Sequence, residues 1–324
     1  MSLASRKIAF VFPGQGAQKV GMGRVWAEAV PAARAAFEEA DAALGFPLSR
    51  LCWEGPEEEL GLTENTQPAL VATSIAIHRA LGVLAPEFAP VAMAGHSLGE
   101  YSALVAAGAL GFADALRLVR RRGQLMQAAV PVGVGAMAAI IGMDPEAIAN
   151  IAKEAADAAS SGGAEEVCAV ANLNGPAQTV LAGHKGAIDR AVALARERGA
   201  RKATLLAVSA PFHSPLMRPA REGLAPMLAA TPFHDPRVPV VSNVDAVPVA
   251  SGDAAREALV RQIDSPVRWV ESVQWMEDVA GVQAFVEVGP GNVLTGLTRR
   301  IVRSARTTAV SDPDHLRQLL TEED

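Results

Sequence analysis

Short, almost wholly apolar runs alternate along this chain with longer segments in which apolar residues recur at helical spacing. The runs at 8–12 and 91–94 end in Pro13-Gly14 and Gly95, which suits strands buried at the centre of a parallel sheet. Between them, Thr66, Gln67 and Pro68 open an apolar-periodic segment to about Leu84, with a hydroxyl near the cap and proline early in the first turn. Strand, helix and strand in that order predict an α/β domain. From 132 to 208 the pattern changes to strand 136–141, helix 144–159, strands 167–171 and 179–182, helix 187–198 and strand 203–208. That βαββαβ order is the ferredoxin-like unit, a complete small fold. A small subdomain at 132–208 is therefore expected inside a discontinuous large domain made of 1–131 and 209–324. The large domain resumes with a strand at 284–288, a helix after Gly291, and a last strand and helix between Thr307 and Leu320. The Ala-, Ser- and Gly-rich stretch 154–166 reads as a long helix-loop of the small unit without a binding role.

A length of 324 residues, half of them hydrophobic and a fifth charged, allows a large buried core. The net charge is −6 and no Lys/Arg tract resembles a nucleic-acid footprint, so nucleic acid is not an expected partner. Cys52 and Cys168 are the only cysteines and lack metal-ligand spacing, so reduced core thiols are expected and no metal site. The apolar run after Arg6 and Lys7 is too short for a signal peptide, and His78 and Arg79 interrupt the longest apolar region. A cytoplasmic protein with no membrane association follows as the expectation.

Gly95-His96-Ser97-Leu98-Gly99 follows a predicted strand and precedes a helical run, the context that the G-x-S-x-G nucleophile elbow requires. A sharp strand-to-helix turn strains the serine backbone and crowds its neighbours, which calls for small residues two positions to each side. The serine hydroxyl is then exposed at a helix N-terminus, where backbone N–H groups favour developing negative charge. Such a large domain is α/β-hydrolase-like; the bland alternative is a glycine-bounded turn. A serine needs a base, and the settings of the six histidines differ. His78 and His315 lie within helices, His184 at a helix start and His234 in a polar loop, while His96 adjoins the serine in a turn expected to aim it elsewhere. His213 follows an apolar strand in a loop framed by Pro211 and Pro215, which can hold an imidazole in place; it is the best base, against a plain loop histidine.

Two further features bear on chemistry. The turn Pro13-Gly14-Gln15-Gly16 fails the dinucleotide fingerprint, because Lys19 stands where a third glycine is needed, and reads as a loop whose backbone approaches a substrate and donates an N–H to an oxyanion, or as simple punctuation. On a helical wheel of 114–129, Ala115, Leu118, Val119, Leu125, Met126 and Ala129 form one apolar arc with Arg122 near its middle. An inward guanidinium costs several kcal/mol unless an anion meets it, either a carboxylate of the protein or one of a ligand. The neighbouring motifs favour the ligand, since guanidinium grips carboxylate in a bidentate fork.

Taken together, Phe12-Pro13-Gly14-Gln15-Gly16-Ala17-Gln18, Thr66-Gln67-Pro68, Gly95 through Glu100, Arg122-Gly123 with Met126-Gln127, Ala210-Pro211-Phe212-His213, Pro266 through Trp269 and Val288-Gly289-Pro290-Gly291 resemble the malonyl-CoA:acyl carrier protein transacylases of fatty-acid synthesis, over essentially the whole chain. The resemblance implies a ping-pong S-malonyltransferase. Ser97 would carry the malonyl group as a covalent ester and His213 would shuttle the proton. Backbone N–H groups of Gln15 and Leu98 would form the oxyanion hole, and Arg122 would hold the malonyl carboxylate. The backbone carbonyl of Gln262 would orient His213 in place of a triad aspartate, and Phe212 would crowd an α-methyl branch and so favour malonyl over methylmalonyl. It implies malonyl-CoA and the phosphopantetheine arm of holo acyl carrier protein as substrates, no permanently bound cofactor, a transient complex with acyl carrier protein and a monomer. An acidic carrier would need exposed cations by the cleft, such as Arg120, Arg121 or Arg201. Competing readings are a serine esterase or thioesterase, which shares the elbow but has no use for an inward cation, a non-catalytic CoA- or carrier-binding protein, and the same transfer in service of a polyketide synthase or a malonate decarboxylase.

Overall fold

A computed structural model describes residues 3, 6–160, 166–208 and 210–321. Its strands are β1 (Ile8–Phe12), β2 (Pro90–Gly95), β3 (Gly135–Ile141), β4 (Cys168–Gly175), β5 (Gln178–His184), β6 (Lys202–Leu205), β7 (Val240–Val241), β8 (Ala284–Glu287) and β9 (Arg306–Ala309). The first apolar run is β1 as expected; every one of its residues is buried, as in β8, because helices cover both faces of the sheet. The large sheet has the order β7-β2-β1-β8-β9 with all pairings parallel. β1 and β2 are neighbours in register, Phe12 opposite Gly95, so the loops leaving their carboxyl ends emerge side by side. Ligands of parallel sheets bind at that edge.

The second sheet is antiparallel with the order β4-β5-β3-β6, the ferredoxin-like arrangement that the βαββαβ pattern calls for. The helices Pro145–Ser160 and Lys185–Glu197 close a separate core with it, around Ile140, Ile148, Leu181 and Ile188. A bridge ties it to the rest of the chain: Val267 donates its N–H to Ala171 O at 2.9 Å and accepts from the N–H of Leu173 at 2.9 Å. Part of the 154–166 stretch and residue 209, where the second segment of the large domain is expected to begin, lie outside the described residues.

Several boundaries differ from the expectation for physical reasons. The long helix is Thr63–Leu84, three residues earlier than read, and Thr66 does not cap it: its hydroxyl donates to Leu60 O at 2.6 Å. β4 runs on to Gly175 through irregularities at Val170/Asn172 and Leu173/Gly175, which turn the polar Asn172 and Asn174 away from strand-like alternation. β6 ends at Leu205, because Val208 donates to Leu206 O at 2.9 Å and the chain turns off the sheet. β7, only two residues long, has no sequence signature of its own. Cys52 and Cys168 are free and buried, and no helix among the described residues is long and apolar enough to cross a membrane.

The elbow glycines follow from close approach. A Cβ on Gly95 would lie 1.9 Å from the Gly99 carbonyl carbon, and one on Gly99 would lie 2.1 Å from Phe12 O. Neither neighbour is a side chain that can turn aside. Gly→Ala in a helix ordinarily stabilises by ~0.5–1 kcal/mol; at Gly99, the first residue of the helix Gly99–Ala106, Gly99→Ala should instead destabilise by about 1–3 kcal/mol through overpacking. Urea denaturation reads this directly, and an unchanged midpoint would show that the β1–elbow contact is not tight.

Candidate active site

The loops from β1 and β2 are pressed together. His96 donates its N–H to Phe12 O at 3.0 Å, and a Cβ on Gly14 would stand 2.5 Å from His96 O. At the apex, Ser97 has φ 51, the left-handed region that costs a non-glycine residue of order 1–3 kcal/mol. Asn243, just beyond β7, braces the turn from both sides: its Oδ1 accepts from Ser97 N at 2.6 Å and its Nδ2 donates to Gly95 O at 2.7 Å.

His213 also has a positive φ, 58, and is 4 % exposed. Its Nδ1 faces two carbonyls, Gln262 O at 2.9 Å and Ser265 O at 3.2 Å, so the proton belongs on Nδ1. That leaves the Nε2 lone pair toward Ser97 Oγ at 2.6 Å, the tautomer a base requires. Burial, and after it the charge of Arg122, hold the imidazole far below the usual histidine range, at about 3, with the two carbonyls opposing. His213 is therefore neutral at ordinary pH.

Arg122 lies on the inner face of the helix Phe112–Ala128, beside Leu118, Val119 and Met126, and is 2 % exposed. Its Nη1 donates to Gln67 Oε1 at 3.0 Å, and its Nη2 to Gln262 Oε1 and to Ser97 Oγ, both at 3.0 Å. Among the described residues no carboxylate forms an ion pair with it. The nearest acidic side chain in this network is Glu100, reached through Gln262 and pushed up to about 7 by burial. Of the two anions that could meet Arg122, an internal salt bridge is thus not the one found.

A cavity of about 360 Å³ opens over these groups, lined among others by Gln15, Ser97, Leu98, Arg122, Phe212 and His213. All but one of the residues expected to act at Ser97 meet there; the exception, Gln262, lies behind Ser97 and His213 and touches both, and Arg120, Arg121 and Arg201, expected as cations by the cleft, do not line this cavity. The backbone N–H groups of Gln15 and Leu98 have no protein acceptor among the described residues. His96 corrects the expectation that its side chain points elsewhere: it lines the same cavity, where its Nε2 pairs with Asn174 Oδ1 at 2.7 Å and its ring packs on Trp269. Four other histidines serve the fold or the surface; His78, for example, is wedged edge-on against Phe10 and Phe12 and held at about 4 by burial. Sequence reasoning missed roles for Gln67, Glu100, Asn243 and the side chain of Gln262. Gln67 and Glu100 stand inside quoted motifs, whereas nothing local marks Asn243. A larger hollow of about 540 Å³ lies past Lys19, but its Ser311–His315 pair, at 3.0 Å, is tied into the start of the helix Pro313–Thr321, where Ser311 Oγ donates to Asp312 and Asp312 accepts from the His315 N–H. Size does not choose the site here; the reacting geometry does.

The acyl transferase domain family model matches residues 9–315. The malonyl CoA-acyl carrier protein transacylase of Escherichia coli K12 is 50% identical over 307 residues, 95% of this chain and 96% of that protein. The crystal structure of an acyl carrier protein S-malonyltransferase from Vibrio cholerae superposes with a TM-score of 0.92 at 48% identity, covering 97% of this chain and 99% of the other. A malonyl-transacylase solved in complex with its type II PKS acyl-carrier protein superposes with a TM-score of 0.92 at 47% identity, over 97% and 99% of the two chains. With the family model matching residues 9–315 and relatives this similar over nearly their full length, the chain belongs to the acyl transferase family, in its malonyl CoA-acyl carrier protein transacylase branch.

Proposed function

We propose that this enzyme moves a malonyl group from malonyl-CoA to the phosphopantetheine thiol of acyl carrier protein, in fatty-acid synthesis, through an ester on Ser97. One observation carries the residue assignment: His213 Nε2 at 2.6 Å and Arg122 Nη2 at 3.0 Å converge on the same Ser97 Oγ. The hydroxyl is held by a neutral base on one side and by a cation without a carboxylate partner on the other. Ser97 Oγ attacks the thioester carbon as its proton passes to His213 Nε2. The N–H groups of Gln15 and Leu98 receive the oxyanion, and the C–S bond breaks as His213 returns the proton to the CoA sulfur. In the second half-reaction the carrier thiol gives its proton to His213 and attacks the ester, and Ser97 leaves with that proton. Arg122 holds the malonyl carboxylate by a fork of charge-assisted hydrogen bonds. Phe212, beside the base and lining the cavity, limits room at the α-carbon. The chemistry is the same whichever carrier is served, and similarity to a transacylase complexed with a type II PKS acyl-carrier protein keeps polyketide synthesis as a second destination.

Mass spectrometry after mixing with malonyl-CoA tests the intermediate. A malonyl adduct should appear on Ser97, persist in water and leave when holo acyl carrier protein is added. Ser97→Ala should form none and lose transfer by at least about 10³-fold. Rapid loss of the adduct to water would favour a hydrolase, and transfer retained in Ser97→Ala would make the protein a binding module.

Removing the guanidinium separates selectivity from folding. Arg122→Ala should lower kcat/KM for malonyl transfer by about 10²–10³-fold, the scale of a lost buried charge pair, while sparing or raising acetyl transfer. Arg122 is also one cause of the low His213 value. The acid limb of kcat/KM, expected well below the ordinary histidine range in the wild type, should therefore move up in the variant, as acetyl transfer measured against pH will read. Equal losses for both acyl groups would reduce Arg122 to a structural role.

A further inference from the structure

Behind the elbow, away from the cavity, lies a polar cluster that the reaction as written does not use. Glu100, Asn243 and Gln262 are each 1 % exposed or less, and they come from the helix after Ser97, the loop after β7 and the end of the helix Gly252–Gln262. One carboxyl oxygen, Glu100 Oε2, accepts from Asn243 N at 2.9 Å and from Gln262 Nε2 at 2.8 Å. The other, Oε1, is buried without a hydrogen-bond partner among the described residues.

An amide side chain has nearly the same shape in its two flipped orientations, so its partners decide which end is oxygen. Around Gln262 the decision is one-sided. Its Nε2 faces Glu100 Oε2, Ser97 O at 2.9 Å and Asn243 Oδ1 at 3.4 Å, all acceptors, while its Oε1 faces Arg122 Nη2 at 3.0 Å. Flipped, it would set NH₂ against guanidinium and oxygen against oxygen. Glu100 supplies the shortest of those acceptors, and through Asn243 it also reaches the amide that accepts from Ser97 N. The backbone carbonyl of the same Gln262 accepts from His213 Nδ1. One carboxyl group is thus coupled to the nucleophile, the base and the cation without touching the cavity.

We propose that Glu100 is a positioning residue for malonyl transfer: by accepting from Gln262 and from the Asn243 amide it fixes the Gln262 oxygen toward Arg122, and so holds the guanidinium at Ser97 Oγ. It does this without neutralising the cation. Burial keeps its carboxyl protonated up to about 7, with hydrogen bonds from Asn243 and Gln262 and the charge of Arg122 opposing and Asp245 reinforcing; its charge in turn raises Tyr101 and Arg261. As pH rises through that value, a negative charge appears one amide away from Arg122 and competes with the substrate carboxylate.

The inference rests on malonyl transfer through Ser97 and is tested with Glu100→Ala and Glu100→Gln in the full-length protein, scoring the ratio of malonyl to acetyl kcat/KM against pH. Glutamine offers an oxygen in place of Oε2 but cannot ionise. Expected for Glu100→Ala is a loss of about tenfold in that ratio, the upper end for a buried hydrogen bond between neutral groups. Glu100→Gln should recover most of it. In the wild type the ratio should fall between about pH 6 and about pH 8.5 as the acid ionises, whereas in Glu100→Gln it should stay flat. Parallel losses for both acyl groups in Glu100→Ala, or a Glu100→Gln ratio that titrates as the wild type does, would overturn the proposal. Should Glu100→Ala fail to fold, the Glu100→Gln profile decides alone. Absence of any Ser97 adduct in the wild type would instead refute the transfer reading itself.

Discussion

A guanidinium buried without a counter-charge is the constraint around which this active site is arranged. Desolvating an arginine costs several kcal/mol, and an internal carboxylate is the usual remedy. Here Arg122 meets two amide oxygens and a serine hydroxyl, all neutral. Those contacts satisfy its N–H donors in part and leave its charge uncancelled. On the proposed mechanism the missing anion arrives with the substrate, so the cost of burial in the free enzyme becomes selectivity for an acyl group that ends in carboxylate. The same charge helps burial keep His213 unprotonated, so the residue that selects the substrate also readies the base.

Geometry and electrostatics are joined through few atoms. The strained φ of Ser97 is held by Asn243, and His213, itself at positive φ, is held by two carbonyls, one of them on Gln262. Gln262 in turn bonds Arg122 through its side chain. The two positive-φ residues that meet at Oγ are therefore fixed by one buried polar network, which a parallel sheet can support because the β1 and β2 loops leave adjacent strands. Positioning of this kind matters because a displacement of about 1 Å at reacting atoms can cost 10²-fold in rate.

How much of this the sequence discloses depends on how local each constraint is. The elbow is legible because Gly95 and Gly99 crowd residues close by in the chain or on the adjacent strand, and Arg122 because a helical wheel exposes a cation within an apolar face. His213 is legible from two prolines that frame it. The network behind them is not: Glu100 meets Asn243 and Gln262 at separations of 143 and 162 residues, and no periodicity reports a contact made only by the tertiary fold. The long helix begins at Thr63 and not at Thr66 for a local reason: a hydroxyl that reads as a cap is spent on the Leu60 carbonyl of the short helix Glu57–Gly61 before it. The irregular β4, with Asn172 and Asn174 facing the cavity, escapes a reading based on alternation because functional polarity interrupts the pattern.

The central claim is that Arg122 selects charge and not shape. Comparing wild-type transfer of malonyl with that of its amide isostere, in which the terminal carboxylate becomes a carboxamide of nearly equal size, isolates that term. The account predicts a kcat/KM about 10²-fold or more lower for the carboxamide, the scale of an unmatched buried charge. Transfer of the two acyl groups within about threefold of each other would contradict it.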